Sequence, residues 1–250
     1  MNSKKHFHRL TPIVLQAAIY LFSLAVFKLF CRIRYEGVEQ LLAFQAAQRA
    51  AGKTSALIFA PNHSSEWDGP LVRVGLPFFW RASPMYFVSQ KKDFYDASGW
   101  RRYLYGGILF NLLGAYPVYS GHHDYAYSLQ NFIALARRGD CICIFPEGRR
   151  TTDGQLGPAR GGVAFLAYAT QTPVVPVAMK GLVKLSGADL FLRRRSVVIR
   201  FGTPMLPKEV VGPVSVAQTP QLGKGSAGPS VDDFHTGANK VMGKVASMLK

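Results

Sequence analysis

After a short basic lead the chain enters a long apolar stretch and then changes rhythm. From Pro12 to Phe30, "PIVLQAAIYLFSLAVFKLF", only Gln16, Ser23 and Lys28 interrupt the run. Its length lies near the lower limit of the roughly 20 apolar residues that cross a bilayer. Beyond it, short apolar runs alternate with segments of helical period. "RIRYEGVEQL" alternates and meets Gly37, as an entry strand does. "QLLAFQAAQRAAG", Gln40 to Gly52, is rich in Ala and Leu and closes on glycine, which predicts a helix with a C-terminal stop. "SALIFAP" and "CICIFPEG" are too short for helices and read as buried strands. Further strands are predicted in "PMYFVSQKKDF" before Lys91, around Tyr116 to Tyr119, in "VVPVAMKG" and in "SVVIRFGTPM". Helices are predicted ahead of Gly114, across "YAYSLQNFIALARRGD" with its basic last turn, and across "RGGVAFLAYATQTP".

This alternation predicts an α/β fold built on a mixed, largely buried sheet flanked by helices. From Val211 to about Ser230 the chain is rich in Pro, Gly and Ser and lacks a period, as a linker does. "VDDFHTGANKVMGKVASMLK" then reads as a closing helix, acidic at its start and ending on lysine. The expected organisation is therefore an apolar helix with basic flanks over 1–31, a main domain over 32–210, a linker over 211–230 and a C-terminal helix over 231–250.

Charge narrows the choice of partners. Thirty Lys and Arg against 14 Asp and Glu give a formal net charge of +16 over 250 residues. An anionic partner is implied: nucleic acid, anionic lipid headgroups or a phosphorylated substrate. A basic nucleic-acid module has no need of an apolar anchor, so the anchor argues against nucleic acid. Lys4, Lys5, His6, His8 and Arg9 precede the apolar segment, and Arg32 and Arg34 follow it. With basic residues on both sides the positive-inside rule assigns no orientation. A helix lying in the interface fits as well as a span. A secretory signal fits poorly, because "KLFCRIRY" has no small-x-small cleavage site.

The three cysteines make no disulfide framework. Cys141 and Cys143 alternate along a predicted strand and point to one face. Their one-residue spacing, without a second pair, argues against a metal site, and no cofactor is expected. A reducing compartment follows, and the expected location is the cytoplasmic face of the cell membrane.

Two blocks carry candidate chemistry. In "LIFAPNHSSEWDGPLV" an apolar run breaks at Pro61, and His63 and Asp68 follow at once. Five residues along an ideal helix turn about 140° around its axis, so the two would not share a helical face. They meet only if His63 sits in the strand-exit turn and Asp68 in the first turn of the next helix. A carboxylate on one ring nitrogen then fixes the tautomer and leaves the other nitrogen as a general base. Ser65 is placed to cap that helix. In "CIFPEGRRT" a strand gives way to Glu147, Gly148, Arg149 and Arg150. Glycine permits a close bend, and each arginine offers a planar fork for phosphate. A solvated turn with two surface arginines is the plainer reading of that block alone.

Taken together and in this order, the blocks resemble the lysophospholipid acyltransferase family, in particular its bacterial 1-acylglycerol-3-phosphate acyltransferases. "NHSSEWD" is similar to that family's first motif, "FPEGRRT" to its F-P-E-G-T-R-S motif, and "TPVVPVAMKG" to its valine-proline strand. The segment from "SQKKDF" to "GAYPVYS" resembles the intervening part, including its lysine pair. The likeness runs from about Arg32 to Leu206. It implies a glycerol-phosphate acyltransferase-like fold with a membrane-associated N-terminal helix. It also implies His63 and Asp68 as catalytic residues, and Glu147, Gly148, Arg149, Arg150, Lys91 and Lys92 as substrate-binding ones. The implied partners are an acyl-CoA or acyl carrier protein donor, a lysophospholipid acceptor and a membrane surface. One departure bears on the acceptor: Ser120 stands where the family usually carries an arginine. Arg149, or Lys91 and Lys92, would then replace that charge, or the acceptor is a different lysolipid. A non-catalytic lipid or nucleic-acid binder, and a hydrolase of the same thioester, are the competing readings.

Other signals lead elsewhere. "GHHDY" places adjacent histidines that point apart and reads as a polar turn. "AGKTS" lacks the earlier glycine of a phosphate loop and precedes its strand. The basic run Arg193 to Arg195 fits a solvated loop or contact with anionic lipid. Trp100, Tyr103, Tyr105 and Phe110 read as core or interfacial packing.

Overall fold

The computed structural model describes residues 10–30, 32–77, 84–89, 111–119, 124–186, 188–189, 192, 195–212 and 229–250. The elements in chain order are α1 (Leu10–Phe30), β1 (Arg32–Glu36), α2 (Val38–Ala50), β2 (Ile58–Pro61), α3 (Asp68–Val74), β3 (Met85–Ser89) and β4 (Ala115–Pro117). They continue with α4 (Tyr125–Ser128), α5 (Gln130–Arg137), β5 (Cys141–Cys143), α6 (Gly162–Thr170), β6 (Val174–Lys180), β7 (Ser196–Phe201), α7 (Pro207–Val211) and α8 (Val231–Leu249).

Seven strands form one sheet in the order β1-β7-β6-β2-β5-β3-β4. Every pairing is parallel except β6 with β7, so the sheet is mixed as expected. The alternation of side chains sorts the core into two faces. Ile58, Ala60, Ile142 and Val174 pack with Phe132 and Leu135 of α5, Val163 and Leu166 of α6, and Val241 of α8. Leu57, Phe59, Cys141, Cys143, Val175 and Val177 pack on the opposite face with Leu41 of α2 and Leu71 and Val72 of α3. A sheet covered on both faces needs apolar residues at every strand position, and β2 is buried along its whole length. Each large aliphatic or aromatic side chain removed from water there contributes about 1.5–3 kcal/mol. Because β2, β5 and β6 run in one direction, the exits of β2 and β5 lie at the same edge of the sheet.

Two helices differ from expectation. The predicted single helix from Tyr125 to Arg137 is broken at Leu129 into α4 and α5. The cause is tertiary: Ser128 Oγ donates to the carbonyl of Tyr119 at 2.8 Å, and the Tyr119 amide donates to the Ser128 carbonyl at 3.3 Å. The five-residue α7, opened by Pro207, was not expected. The closing helix α8 carries a capping box, with Ser230 Oγ accepting from the Asp233 amide and the Asp233 carboxylate accepting from the Ser230 amide.

The first helix turns polar side chains inward and hydrocarbon outward. Gln16, Tyr20 and Ser23 are buried, whereas Val14, Leu21, Phe22 and Leu29 are exposed, Phe22 at 65%. Gln16 joins the sheet through its side-chain amide, which donates to Met85 O at 2.6 Å and Leu113 O at 2.8 Å and accepts from Met85 N at 2.9 Å. Tyr20 receives the guanidinium of Arg73 from α3 over its ring at 5.2 Å. Among the described residues, no helix is long and apolar enough to cross a membrane. Lys91, Lys92, Ser120, the aromatic stripe of Trp100, Tyr103, Tyr105 and Phe110, His122, Arg193, and residues 213–228 of the expected linker lie outside the described residues.

Candidate active site

The exit of β2 is fixed before the chemistry begins. The buried Asn62 side chain donates to Met179 O at 3.0 Å and accepts from Met179 N at 2.7 Å, clamping the end of β2 to β6. The chain then turns, and the His63 ring stacks on Phe145 with centroids 4.0 Å apart and planes inclined at 21°. Nδ1 of His63 lies 2.9 Å from Oδ2 of Asp68, the first residue of α3. The two residues meet through a strand-exit turn and a first helical turn, the one arrangement their spacing permits.

Asp68 is fully buried, and a buried carboxylate is tolerable only when donors surround it. Oδ2 accepts the amides of Ser64 at 2.5 Å and Ser65 at 2.8 Å, and Oδ1 accepts the Ser65 hydroxyl at 2.7 Å. An acceptor so engaged requires the facing imidazole nitrogen to carry the hydrogen. Nε2 is left with its lone pair, and the ring is 21% exposed. Such a pair can take a proton from an approaching alcohol and return it to a leaving group. Ser65 does not cap α3 as expected: the N-cap position is Trp67, and no side chain caps it. The Ser65 hydroxyl is drawn to Asp68 instead and accepts the Trp67 amide at 3.1 Å.

The second block holds the first in place. Glu147, buried just past β5, accepts the His63 amide on Oε1 and the Gly157 amide on Oε2, each at 2.8 Å. The His63 carbonyl accepts the Thr151 amide at 2.8 Å. Both main-chain polar groups of His63 are therefore held by the later segment. Gly148 adopts φ +67°, a conformation that favours glycine. Arg150 points to the rim, where Nη1 meets Glu66 Oε1 at 3.1 Å, and Arg149 is exposed. Beneath the site, burial and then the Asp68 carboxylate push the Cys143 thiol well above its ordinary value.

Several contributors had no clear mark in the sequence. Phe145 and Asn62 were within the quoted blocks but carried no chemical signal, and their roles arise from stacking and from strand clamping. Gly157 lies downstream of the second block at no diagnostic spacing. Among the described residues no group of three or more His, Cys, Asp or Glu side chains could hold a metal ion.

A family model described as Acyltransferase matches residues 32–180, which include both blocks and the strands that deliver them. The chain belongs to the acyltransferase family. A chloroplastic 1-acyl-sn-glycerol-3-phosphate acyltransferase of Brassica napus is 33% identical over 79 residues, 31% of this chain and 23% of that relative. A probable 1-acyl-sn-glycerol-3-phosphate acyltransferase of Mycoplasma pneumoniae is 36% identical over 56 residues, 22% of this chain and 21% of that relative. The matched stretch thus spans less than a quarter of either. A Bacillus subtilis protein named 1-acyl-sn-glycerol-3-phosphate acyltransferase is 26% identical over 152 residues, 60% of this chain and 67% of that relative. Among solved structures, the LPA acyltransferase PlsC from Thermotoga maritima superposes with a TM-score of 0.58 at 19% identity, covering 95% of this chain and 80% of that one. The mixed α/β fold, a central sheet flanked by helices, is thus shared with that acyltransferase.

Proposed function

We propose that the protein transfers a fatty acyl group from an acyl thioester to the free hydroxyl of a lysophospholipid, with 1-acylglycerol-3-phosphate as acceptor, in phospholipid synthesis. The observation that carries this reading is the His63–Asp68 pair, joined at 2.9 Å at the exit of β2 and seated by Glu147. The names borne by the relatives support the acceptor. In the reaction, Nε2 of His63 takes the proton of the acceptor hydroxyl as its oxygen attacks the thioester carbonyl. Asp68 holds Nδ1–H and offsets the charge that develops on the ring. The tetrahedral intermediate collapses with loss of the thiolate of CoA or acyl carrier protein, which recovers the proton from His63. The acceptor hydroxyl is itself the nucleophile, so no acyl-enzyme is required. Arg149, Arg150, Lys91 and Lys92 are the proposed sources of positive charge for the acceptor phosphate.

The same reading places the protein on a membrane surface at its cytoplasmic side. The outward apolar residues of α1 and the net charge of +16 support this, the first through burial in lipid and the second through attraction to anionic headgroups.

Acyl transfer from labelled acyl-CoA to a panel of lysolipids tests the proposal. His63→Ala is expected to lower kcat by at least about 1,000-fold, and Asp68→Asn by about 100- to 10,000-fold, with acceptor KM little changed. Full activity in His63→Ala would end it.

A further inference from the structure

One cation at this edge belongs to neither motif. A Cβ built on Gly148 would stand 2.9 Å from Cδ and Nε of Arg160 and 3.3 Å from its Cζ. The Arg160 side chain therefore lies across the bare face of Gly148, one residue beyond the glutamate that seats His63. Its main chain is fixed from several directions. The Arg160 amide donates to Pro146 O at 2.8 Å. The carbonyl before it, of Ala159, lies 3.4 Å from Nδ1 of His235 on α8, whose Nε2 lies 3.3 Å from the Tyr125 hydroxyl. The residue after it, Gly161, leaves no room for a side chain: a Cβ there would stand 2.7 Å from the Tyr125 hydroxyl and 3.0 Å from Phe234 Cβ.

Its electrostatic state sets it apart from Arg150 but not from the exposed Arg149, and what distinguishes it from both is its seat over Gly148. Arg150 is occupied by Glu66, whereas among the described residues no carboxylate pairs with Arg160, whose side chain is exposed. A guanidinium laid over Gly148 on a fixed main chain and open to solvent, with no carboxylate partner among the described residues, is organised in advance for a planar, bidentate contact with phosphate. Ser120 stands where the family resemblance implies an arginine, so the acceptor subsite lacks one cation in sequence.

We propose that Arg160 determines acceptor specificity, its guanidinium over Gly148 gripping the phosphate monoester of the glycerol headgroup. The inference rests on the acyl-transfer reading for its reaction, but on the placement of Arg160 alone for its ligand. Gly148 has two tasks in this account: it makes the bend, and it leaves the surface on which the guanidinium lies.

Steady-state kinetics with lysophosphatidate at saturating acyl-CoA provide the first test. Arg160→Gln is expected to raise the acceptor KM by roughly 10- to 100-fold with kcat within about threefold, and Arg160→Lys, which keeps the charge but not the fork, to recover only part of the loss. A KM within twofold of wild type, a loss confined to kcat, or a larger KM rise in Arg149→Gln would overturn the proposal. The second test is thermal unfolding of wild type and Arg160→Gln with sn-glycerol 3-phosphate or with glycerol. Stabilisation of wild type by the phosphate ester alone, lost in a variant whose unliganded Tm is unchanged, supports it. No stabilisation of wild type, or equal stabilisation of both, overturns it. If wild type acylates no lysolipid, the acyl-transfer reading falls, and the unfolding measurement still decides the role of Arg160.

Discussion

Glu147 gives both carboxylate oxygens to main-chain amides, one at His63 and one at Gly157. A carboxylate can do this because it only accepts, while a glutamine must turn a donor toward one of those N–H groups. Glu147→Gln is therefore expected to destabilise the fold by about 2 kcal/mol, since a buried group is left mispaired. It should also lower kcat at least about tenfold by loosening His63. Denaturant unfolding and kinetics on the same sample check both. The candidate chemistry was legible at this scale, since imidazole, carboxylate and arginine announce themselves by type. Their supports were not. The partners of Glu147 are main-chain amides, which every residue but proline possesses, so no side chain marks them in advance. The same holds for Arg160, whose surroundings are a glycine, a carbonyl and a helix that begins only at Val231.

Among the elements, the short strands could be read because proline or glycine bounds each apolar run and no helix fits so few residues. β5 shows how far that goes: Cys141 and Cys143 share one buried face, as their alternation implied, with Ile142 on the other. Burial pushes the Cys141 thiol from its ordinary value near 9 up to about 12, and drives Cys143 upward as well. In the unfolded chain both ionise above about pH 9, while in the fold they stay neutral. A raised folded value means stability that is complete below the unfolded pKa and declines as pH rises through the interval above it. The midpoint of urea unfolding should fall between about pH 9 and 11 in wild type, and fall less in a Cys141→Ala, Cys143→Ala double variant. Neither thiol should react with an aromatic disulfide reagent at pH 8 until the protein unfolds. The break at Leu129 could not be read, because the helical period runs through it. The contact of Ser128 with Tyr119, nine residues earlier and just past β4, interrupts the helix.

On the scale of the whole molecule, α1 inverts the usual pattern, with amide and hydroxyl groups toward the protein and hydrocarbon toward the outside. The sequence showed an apolar helix but not which side it would present, since that depends on Gln16 finding Met85 and Leu113. If this face rests in lipid, the protein should sediment with vesicles containing anionic phospholipid. Leu21→Ser with Phe22→Ser should weaken that binding roughly 10- to 100-fold. Raising salt from about 0.05 to 0.5 M should weaken it further by screening the basic surface. Equal partitioning of variant and wild type would exclude α1 as the contact. The seating of His63 by residues 84 or more positions later has a consequence for biosynthesis. A ribosome releases the imidazole long before it has made the glutamate and threonine that give it a fixed seat. On the acyl-transfer proposal, a nascent chain stalled before residue 157 would carry histidine and aspartate without their seat, so activity would switch on only when the middle of the sheet closes.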